Sequence, residues 1–196
     1  MTEQQPYEVV RRHPGFELRA YPAHAVAEVE VDGSFETAGT RAFRALFAYI
    51  RGANASATAV AMTAPVVQEQ APPEQVAMTA PVVQSVADGG GYVVAFVLPA
   101  SMTAQSAPVP TDPRVRVRAV PAQHAAAMRF SGRWTEAAYR RHLADLEAAM
   151  AAAGLEPVGE PRFARFDPPF TPWFLRRNEV VRAVRWPPVP DVGPAG

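Results

Sequence analysis

One pattern occurs twice in this chain, 99 residues apart, and it limits the possible folds more than any other feature. Val29-Glu30-Val31-Asp32-Gly33-Ser34-Phe35-Glu36-Thr37-Ala38 resembles Met128-Arg129-Phe130-Ser131-Gly132-Arg133-Trp134-Thr135-Glu136-Ala137. In each copy an alternating strand ends at a glycine, an aromatic residue follows, and a helical pattern begins. Further along, an offset of 100 pairs Phe43 with Leu143 and Leu46 with Leu146, so the second copy carries one extra residue. A strand–helix–strand unit used twice predicts one α+β domain, residues 1–186, made of two pseudo-symmetric halves at about 7–98 and 112–186. The Pro- and Gly-rich stretch 187–196 reads as a flexible tail.

The first helix is predicted over residues 35–51. Ser34 is its N-cap, Thr37 stands where a capping-box Glu would be, and Gly52 is the stop. At 100° per residue, Phe35, Ala38, Ala42, Leu46 and Tyr49 make one stripe facing a sheet. Phe43, Phe47 and Ile50 make a second stripe beside it. That apolar arc is wider than one sheet contact needs, so either another protein segment or a ligand covers Phe43 and Phe47. The second helix is predicted over residues 135–153. It has a single narrower stripe of Tyr139, Leu143, Leu146 and Met150, with Gly154 as its stop.

Strands are expected at residues 7–12, 16–31, 92–98, 114–118, 125–130 and 179–185, with turns at Pro14-Gly15 and Gly89-Gly90-Gly91. The nonapeptide Val60-Ala61-Met62-Thr63-Ala64-Pro65-Val66-Val67-Gln68 recurs unchanged as Val76 to Gln84 and reads as two further strands of a hairpin. Pro65 and Pro81 cannot donate to a ladder, so each belongs at an edge, a strand end or a bulge. Met62 and Met78 are either sheet framework or face a ligand. About eight strands with short connections favour a mostly antiparallel sheet, curled or closed.

Composition narrows the chemistry. With no Cys there are no disulfides, thiolate metal sites or Cys nucleophiles. All 19 basic residues are Arg, which removes Schiff-base and phosphate-loop lysines. They balance 19 acidic residues, so charge gives no reason to expect nucleic acid or an anionic membrane as partner. The four His do not stand at metal-ligand spacing, and no Gly-x-Ser-x-Gly elbow or dinucleotide glycine fingerprint is present. There is no apolar run of spanning or signal-peptide length, so the protein is expected to be cytoplasmic without a membrane span. With no nucleophile–base pair or metal cluster visible, it is not expected to be an enzyme.

Residues 163–178 read Phe-Ala-Arg-Phe-Asp-Pro-Pro-Phe-Thr-Pro-Trp-Phe-Leu-Arg-Arg-Asn. A stretch this apolar, stiffened by three prolines, either folds over the core or forms an aromatic lid over a ligand groove.

Five motifs in order carry a family likeness: Tyr7-Glu8-Val9-Val10, Phe16-Glu17-Leu18-Arg19-Ala20-Tyr21, Met-Thr-Ala-Pro-Val at Met62 and Met78, Phe166-Asp167-Pro168-Pro169, and Arg177-Asn178-Glu179-Val180. Over residues 6–186 the chain resembles the SOUL haem-binding proteins. The resemblance implies a distorted antiparallel β-barrel flanked by two helices, similar to bacterial effector-binding domains. It also implies non-covalent binding of haem or another tetrapyrrole in an apolar cleft between the first helix and a late Pro-rich loop. Carried onto this chain, the cleft residues are Phe43, Phe47, Phe170, Pro172 and Trp173, with Arg176 and Arg177 available for propionates. Some members have an axial histidine within the Arg-x-Tyr motif, where this chain has Ala20. Iron would then depend on Met62, Met78, His24 or Tyr49, among which the sequence does not choose. Binding of other hydrophobic small molecules is the alternative, and an enzyme acting on such a ligand comes third.

Overall fold

The computed structural model describes residues 3–56, 73–87, 89–168 and 170–187. Its main elements are β1 (Glu8–His13), β2 (Phe16–Tyr21), β3 (His24–Val31), α1 (Phe35–Ile50), β4 (Val82–Val86), β5 (Tyr92–Val97), β6 (Val115–Val120), β7 (Gln123–Phe130), α2 (Glu136–Ala152), β8 (Pro157–Arg165) and β9 (Asn178–Val184). They fall into two compact units. One comprises Met1–Pro6 with Ala23–Pro121, and the other Tyr7–Pro22 with Ala122–Gly196. Residues 7–22, which open the first half in sequence, therefore pack in the second unit.

The first unit is a four-stranded antiparallel ladder in the order β6-β3-β5-β4 with α1 on one face. Alternation decides which side chains meet the helix. Ala25, Ala27 and Val29 of β3 point to α1, together with Val94 and Phe96 of β5 and Val115 of β6. The expected stripe of Phe35, Ala38, Ala42, Leu46 and Tyr49 is fully buried against them. Small residues on both sides let helix and sheet approach closely, while Leu46 and Tyr49 fill the space between. Intervening residues Val26, Ala95, Val97 and Val120 form a second buried cluster on the opposite face.

The second unit is a five-stranded antiparallel ladder in the order β8-β9-β7-β2-β1 with α2 beside it. Tyr139, Leu146 and Met150 of α2 are buried, and Tyr139 packs edge-on to Phe130 and tilted against Phe163. The Thr135 hydroxyl caps this helix by accepting from the Ala138 N–H at 3.2 Å. Ser34 starts α1 but makes no such capping bond, its hydroxyl lying instead 3.1 Å from that of Thr37.

The repeat is visible in strand order. β6-β3-β5-β4 in one unit corresponds to β2-β7-β9-β8 in the other, with β1 added at the edge. Gly33 and Gly132, the repeated glycines, both adopt positive φ, +123° and +137°, before their helices. The strand that precedes each repeat in the chain is exchanged: β2 leads into β3 yet pairs with β7, and β6 leads into β7 yet pairs with β3. Both crossings occur at Pro-Ala, Pro22-Ala23 and Pro121-Ala122.

Three expectations change. The sheet does not close into a barrel. Among the described residues β6 pairs only with β3 and β1 only with β2, and both edges are unsuited to closure. β6 presents exposed Arg116 and Arg118 and ends at Pro121, while β1 is exposed and bulged between Val9 and Arg11. The run 16–31 is two strands, because Pro22 lacks the N–H needed to continue a ladder. β8 was not expected. Pro157, Gly159 and Pro161 hide it in sequence, and in the structure they lie in or beside a register shift between Val158 and Arg162, with Gly159 at φ +64°.

The second nonapeptide copy forms a short parallel pairing at Thr79–Ala80 with Glu3–Gln4, and then β4, with Pro81 between them at a strand end. Its hairpin partner is β5, reached through the glycine turn. The first copy and the tail from 188 lie outside the described residues. In that turn Gly91 has φ +80°, and a Cβ there would sit 2.7 Å from the Val31 carbonyl oxygen. Gly91→Ala is expected to lower stability by roughly 1–2 kcal/mol in urea unfolding. Gly89→Ala, where nothing lies within 4 Å, should leave the midpoint in place.

Candidate functional site

In the first unit the candidate surface is the flank of α1. Phe43 and Phe47 stand one helical turn apart, so their rings lie side by side. They are stacked, with centroids 5.3 Å apart and 15° between planes. Phe43 leans edge-on against buried Phe96 at 5.6 Å, which fixes its orientation from below. Yet the two rings remain 41% and 38% exposed, whereas Ile50 of the same sequence stripe is buried at 4%. Two flat rings held on a rigid helix and left half in water form an apolar face that the described residues do not cover. Arg51, at the end of the helix, places its guanidinium 5.5 Å from the Phe47 ring.

The candidate iron ligands in this unit are less available. The Tyr49 hydroxyl donates to the Pro108 carbonyl at 2.9 Å from a buried position. Burial, with the Glu74 carboxylate second, pushes its phenol up to about 12. The His24 ring lies 3.0 Å from the Gln5 side-chain nitrogen. Met78 is partly exposed, and Met62 is outside the described residues. Among the described residues no three His, Asp or Glu side chains come together as a metal site.

In the second unit the candidate surface is the strap between β8 and β9. Phe170 is 85% exposed, and Trp173, Phe174 and Leu175, which make a single 3-10 turn, are also exposed, as is Pro172. Trp173 and Phe174 meet edge-to-face at 5.6 Å, and the Arg133 guanidinium lies 5.8 Å from the Trp173 ring. Arg176 is turned inward: its Nε donates to the Thr171 carbonyl at 2.7 Å, and its guanidinium lies over Trp134 at 4.5 Å.

Arg177 belongs to a network that the sequence did not announce. Its Nη2 and Nε donate to Glu179 Oε1 at 2.7 and 3.1 Å, and its guanidinium stacks over Phe166 at 3.9 Å. Glu179 is buried, and its other oxygen accepts from Arg19 at 2.7 Å. Arg19 also binds Glu17 at 2.9 Å and the Tyr21 hydroxyl at 3.1 Å, and lies over the Tyr7 ring at 4.1 Å.

The sheet explains how Arg19 and Glu179 meet from two strands separated by β7. In the register Arg19 stands opposite Ala125 and Glu179 opposite Arg129, so the two partners lie diagonally across β7 with only the methyl of Ala127 on the path, while the Arg129 side chain is exposed. Burial opposes the Arg19 charge, but the hydrogen bond to Glu179, the charge of that carboxylate and the Tyr21 contact outweigh it and raise its pKa. The strap closes on the same network: the Phe166 N–H donates to the Arg177 carbonyl, and the Arg177 N–H to the Asp167 carboxylate. Neighbouring Asn178, fully buried, accepts from the Trp134 indole at 2.6 Å and donates to the Gly132 carbonyl. The available signal was an Arg at a core-facing strand position, with Glu17, Arg19 and Tyr21 all on one face.

The sequence model described as SOUL heme-binding protein matches residues 2–183. This chain belongs to the SOUL family. A search of curated proteins found no match. Among solved structures, the SOUL chain resembles a hydrolase from Listeria innocua at TM-score 0.59 and 14% identity, covering 90% of this chain and 94% of that one. An uncharacterized conserved protein from Listeria innocua matches at 0.58 and 12%, covering 87% and 92%. EcmrR in a complex with DNA matches at 0.60 and 12%; the alignment covers 87% of this chain but 57% of the EcmrR chain. At these identities the likeness shows a shared effector-binding-like α+β fold and nothing finer. No helix among the described residues of this SOUL protein is long and apolar enough to cross a membrane.

Replacing Glu179 with Gln leaves the buried Arg19 guanidinium and the half-buried one of Arg177 short of a counter-charge. The variant is expected to lose about 3–5 kcal/mol in denaturant unfolding and to shift the fluorescence of Trp173 as the strap loosens. Alkaline titration provides a second check. Burial holds the phenols of Tyr49 and Tyr139 up to about 12, against 10.0 for an ordinary tyrosine. The folded state therefore keeps them protonated where the unfolded state ionises. Stability from these groups is complete below pH 10 and lost as pH rises towards 12, with the phenolate absorbance of both appearing only with unfolding.

Proposed function

We propose that this protein binds haem or a related tetrapyrrole non-covalently through its uncovered aromatic surfaces, acting as a carrier, buffer or sensor. The observation that carries the reading is the stacked Phe43–Phe47 pair, half exposed on a rigid helix. A planar macrocycle laid on those rings would remove them from water and gain stacking contact, without any rearrangement of the core. Phe170, Pro172 and Trp173, exposed on the second unit, are a further candidate surface, named by the family likeness. Arg176 and Arg177 remain candidates for propionates, though both guanidinium groups already have protein partners, so any such contact would be shared.

The side chains present suit the organic macrocycle better than they suit its iron. Bound haem would bring a metal able to take an axial ligand. Tyr49 and His24 are already hydrogen-bonded, which leaves the partly exposed Met78 as the candidate among the described residues. Iron coordination is therefore not required by this reading, and metal-free porphyrin should bind about as well as haemin. The alternative, binding of other hydrophobic molecules, draws on the effector-binding-like fold and the same surface.

Titration with haemin by Soret absorbance and with protoporphyrin by fluorescence tests this. Phe43→Ala and Phe47→Ala should each weaken both ligands about tenfold, equivalent to ~1.4 kcal/mol, with little change in Tm because the rings are already half solvated. No saturable change at micromolar protein, or affinities indifferent to both substitutions, would exclude this site.

A further inference from the structure

The tip of the strap between β8 and β9 exposes more apolar surface than a flat ligand needs. Trp173, Phe174 and Leu175 follow one another in a 3-10 turn, where successive side chains project about 120° apart. All three are exposed, at 50%, 58% and 64%, and so are Phe170 and Pro172. No single flat surface, whether macrocycle or protein, covers three side chains that leave the backbone in three directions. A fluid apolar medium that surrounds the turn covers them all. Phe174 and Leu175 also belong to none of the contacts assigned above to a tetrapyrrole.

The backbone of the tip is suited to such a medium. Pro168 and Pro172 have no N–H to desolvate. The Thr171 N–H donates to the Pro168 carbonyl at 3.1 Å, and the Leu175 N–H to the Pro172 carbonyl at 2.9 Å. The Thr171 carbonyl accepts from Arg176 Nε at 2.7 Å. Backbone groups already paired within the loop approach hydrocarbon at lower cost. Charge around the tip is one-sided. Residues 161–178 contain four Arg and one acid, Asp167, whose carboxylate accepts from the Arg177 N–H. Glu179, the next acid, is buried between Arg19 and Arg177. Arg133 adds an exposed guanidinium beside Trp173. The chain as a whole is neutral, so this basic collar is a local feature.

We propose that the strap tip, Phe170 to Leu175, docks this protein peripherally on a bilayer surface containing anionic lipids. An apolar tip under a basic collar matches the layering of such a surface, acyl chains beneath phosphate. Phe170, Trp173, Phe174 and Leu175 enter the boundary between headgroups and acyl chains, and Arg133 stays at the level of the phosphates. The Phe43–Phe47 pair takes no part, so the docking is independent of the ligand reading.

Co-sedimentation of the full chain, without ligand, with vesicles of phosphatidylcholine alone or mixed with phosphatidylglycerol tests this. Wild type should bind the mixed vesicles at least about fivefold more tightly, the effect of one arginine at an anionic surface. Combining Phe174→Ser with Leu175→Ser should weaken that binding about tenfold or more without moving the melting curve, because both side chains are already exposed. Val109→Ser, at a similarly exposed apolar position of the first unit, should bind as wild type does. The proposal is overturned by no sedimentation with mixed vesicles, by equal binding to both kinds of vesicle, or by an equal loss in Val109→Ser. A concentration-dependent dimer that the double variant dissolves, with no vesicle binding, assigns the tip to a second copy and also overturns it. Should the double variant fail to fold, tryptophan emission decides. A blue shift on mixed vesicles that Trp173→Phe removes supports docking, and an emission that vesicles leave unmoved overturns it.

Discussion

Arg19 and Glu179 meet in the interior of the second unit, and much of that unit is arranged around their pairing. An ion pair taken out of water is favourable only when its remaining hydrogen-bonding capacity is met. Here Glu17, Tyr21 and Arg177 meet it, with Tyr7 and Phe166 closing over the guanidinium faces. The pairing also dictates what can stand on the strand between the partners, since anything larger than Ala at 127 would occupy the space through which Arg19 reaches. Through Glu179 it fixes Arg177, and through Arg177 and Asp167 it ties together both ends of the aromatic strap. An exposed, apolar loop is thus kept in one shape by charges it does not itself display.

This places the family motifs in a different light. Phe16 to Tyr21, Phe166-Asp167 and Arg177-Asn178-Glu179 are the residues by which the chain is recognised as a SOUL protein, and they converge on this network. Phe43 and Phe47, which carry the functional proposal, belong to none of those motifs. The recognisable residues hold the scaffold, and the surface proposed for a ligand is written in the less distinctive part of α1. That division is consistent with a fold shared, at low identity, among proteins as differently named as a hydrolase and EcmrR.

Much of the architecture was legible because periodicity and burial coincide. Phe35, Ala38, Ala42, Leu46 and Tyr49 form a stripe at helical spacing, and they are the residues α1 buries. What escaped reading has identifiable causes. Pro22 divided a run that looked continuous, and β8 was masked by prolines and a glycine that serve a bulge rather than a loop. Barrel closure depends on whether edge strands find partners, a long-range property on which alternation along one strand is silent. For the site, Phe43 and Phe47 could be singled out as surplus apolar surface. That Arg177 is engaged by Glu179 could not, because the pair forms across strands from opposite ends of the sequence.

The exchanged strands bear on how the chain comes together. The first unit lacks its edge strand until residue 120 has been made, while residues 7–22 have no sheet to join until β7, about a hundred residues later in the chain, emerges. An early hairpin must therefore remain unpaired while most of the protein is synthesised, and both units reach completion late. Contacts so distant in sequence make for slow assembly and prolong the exposure of an unpaired edge. The bulge and the exposed Arg11 and Arg12 of β1 blunt the outer edge of that hairpin, while the opposite edge, on β2, stays open until β7 is made.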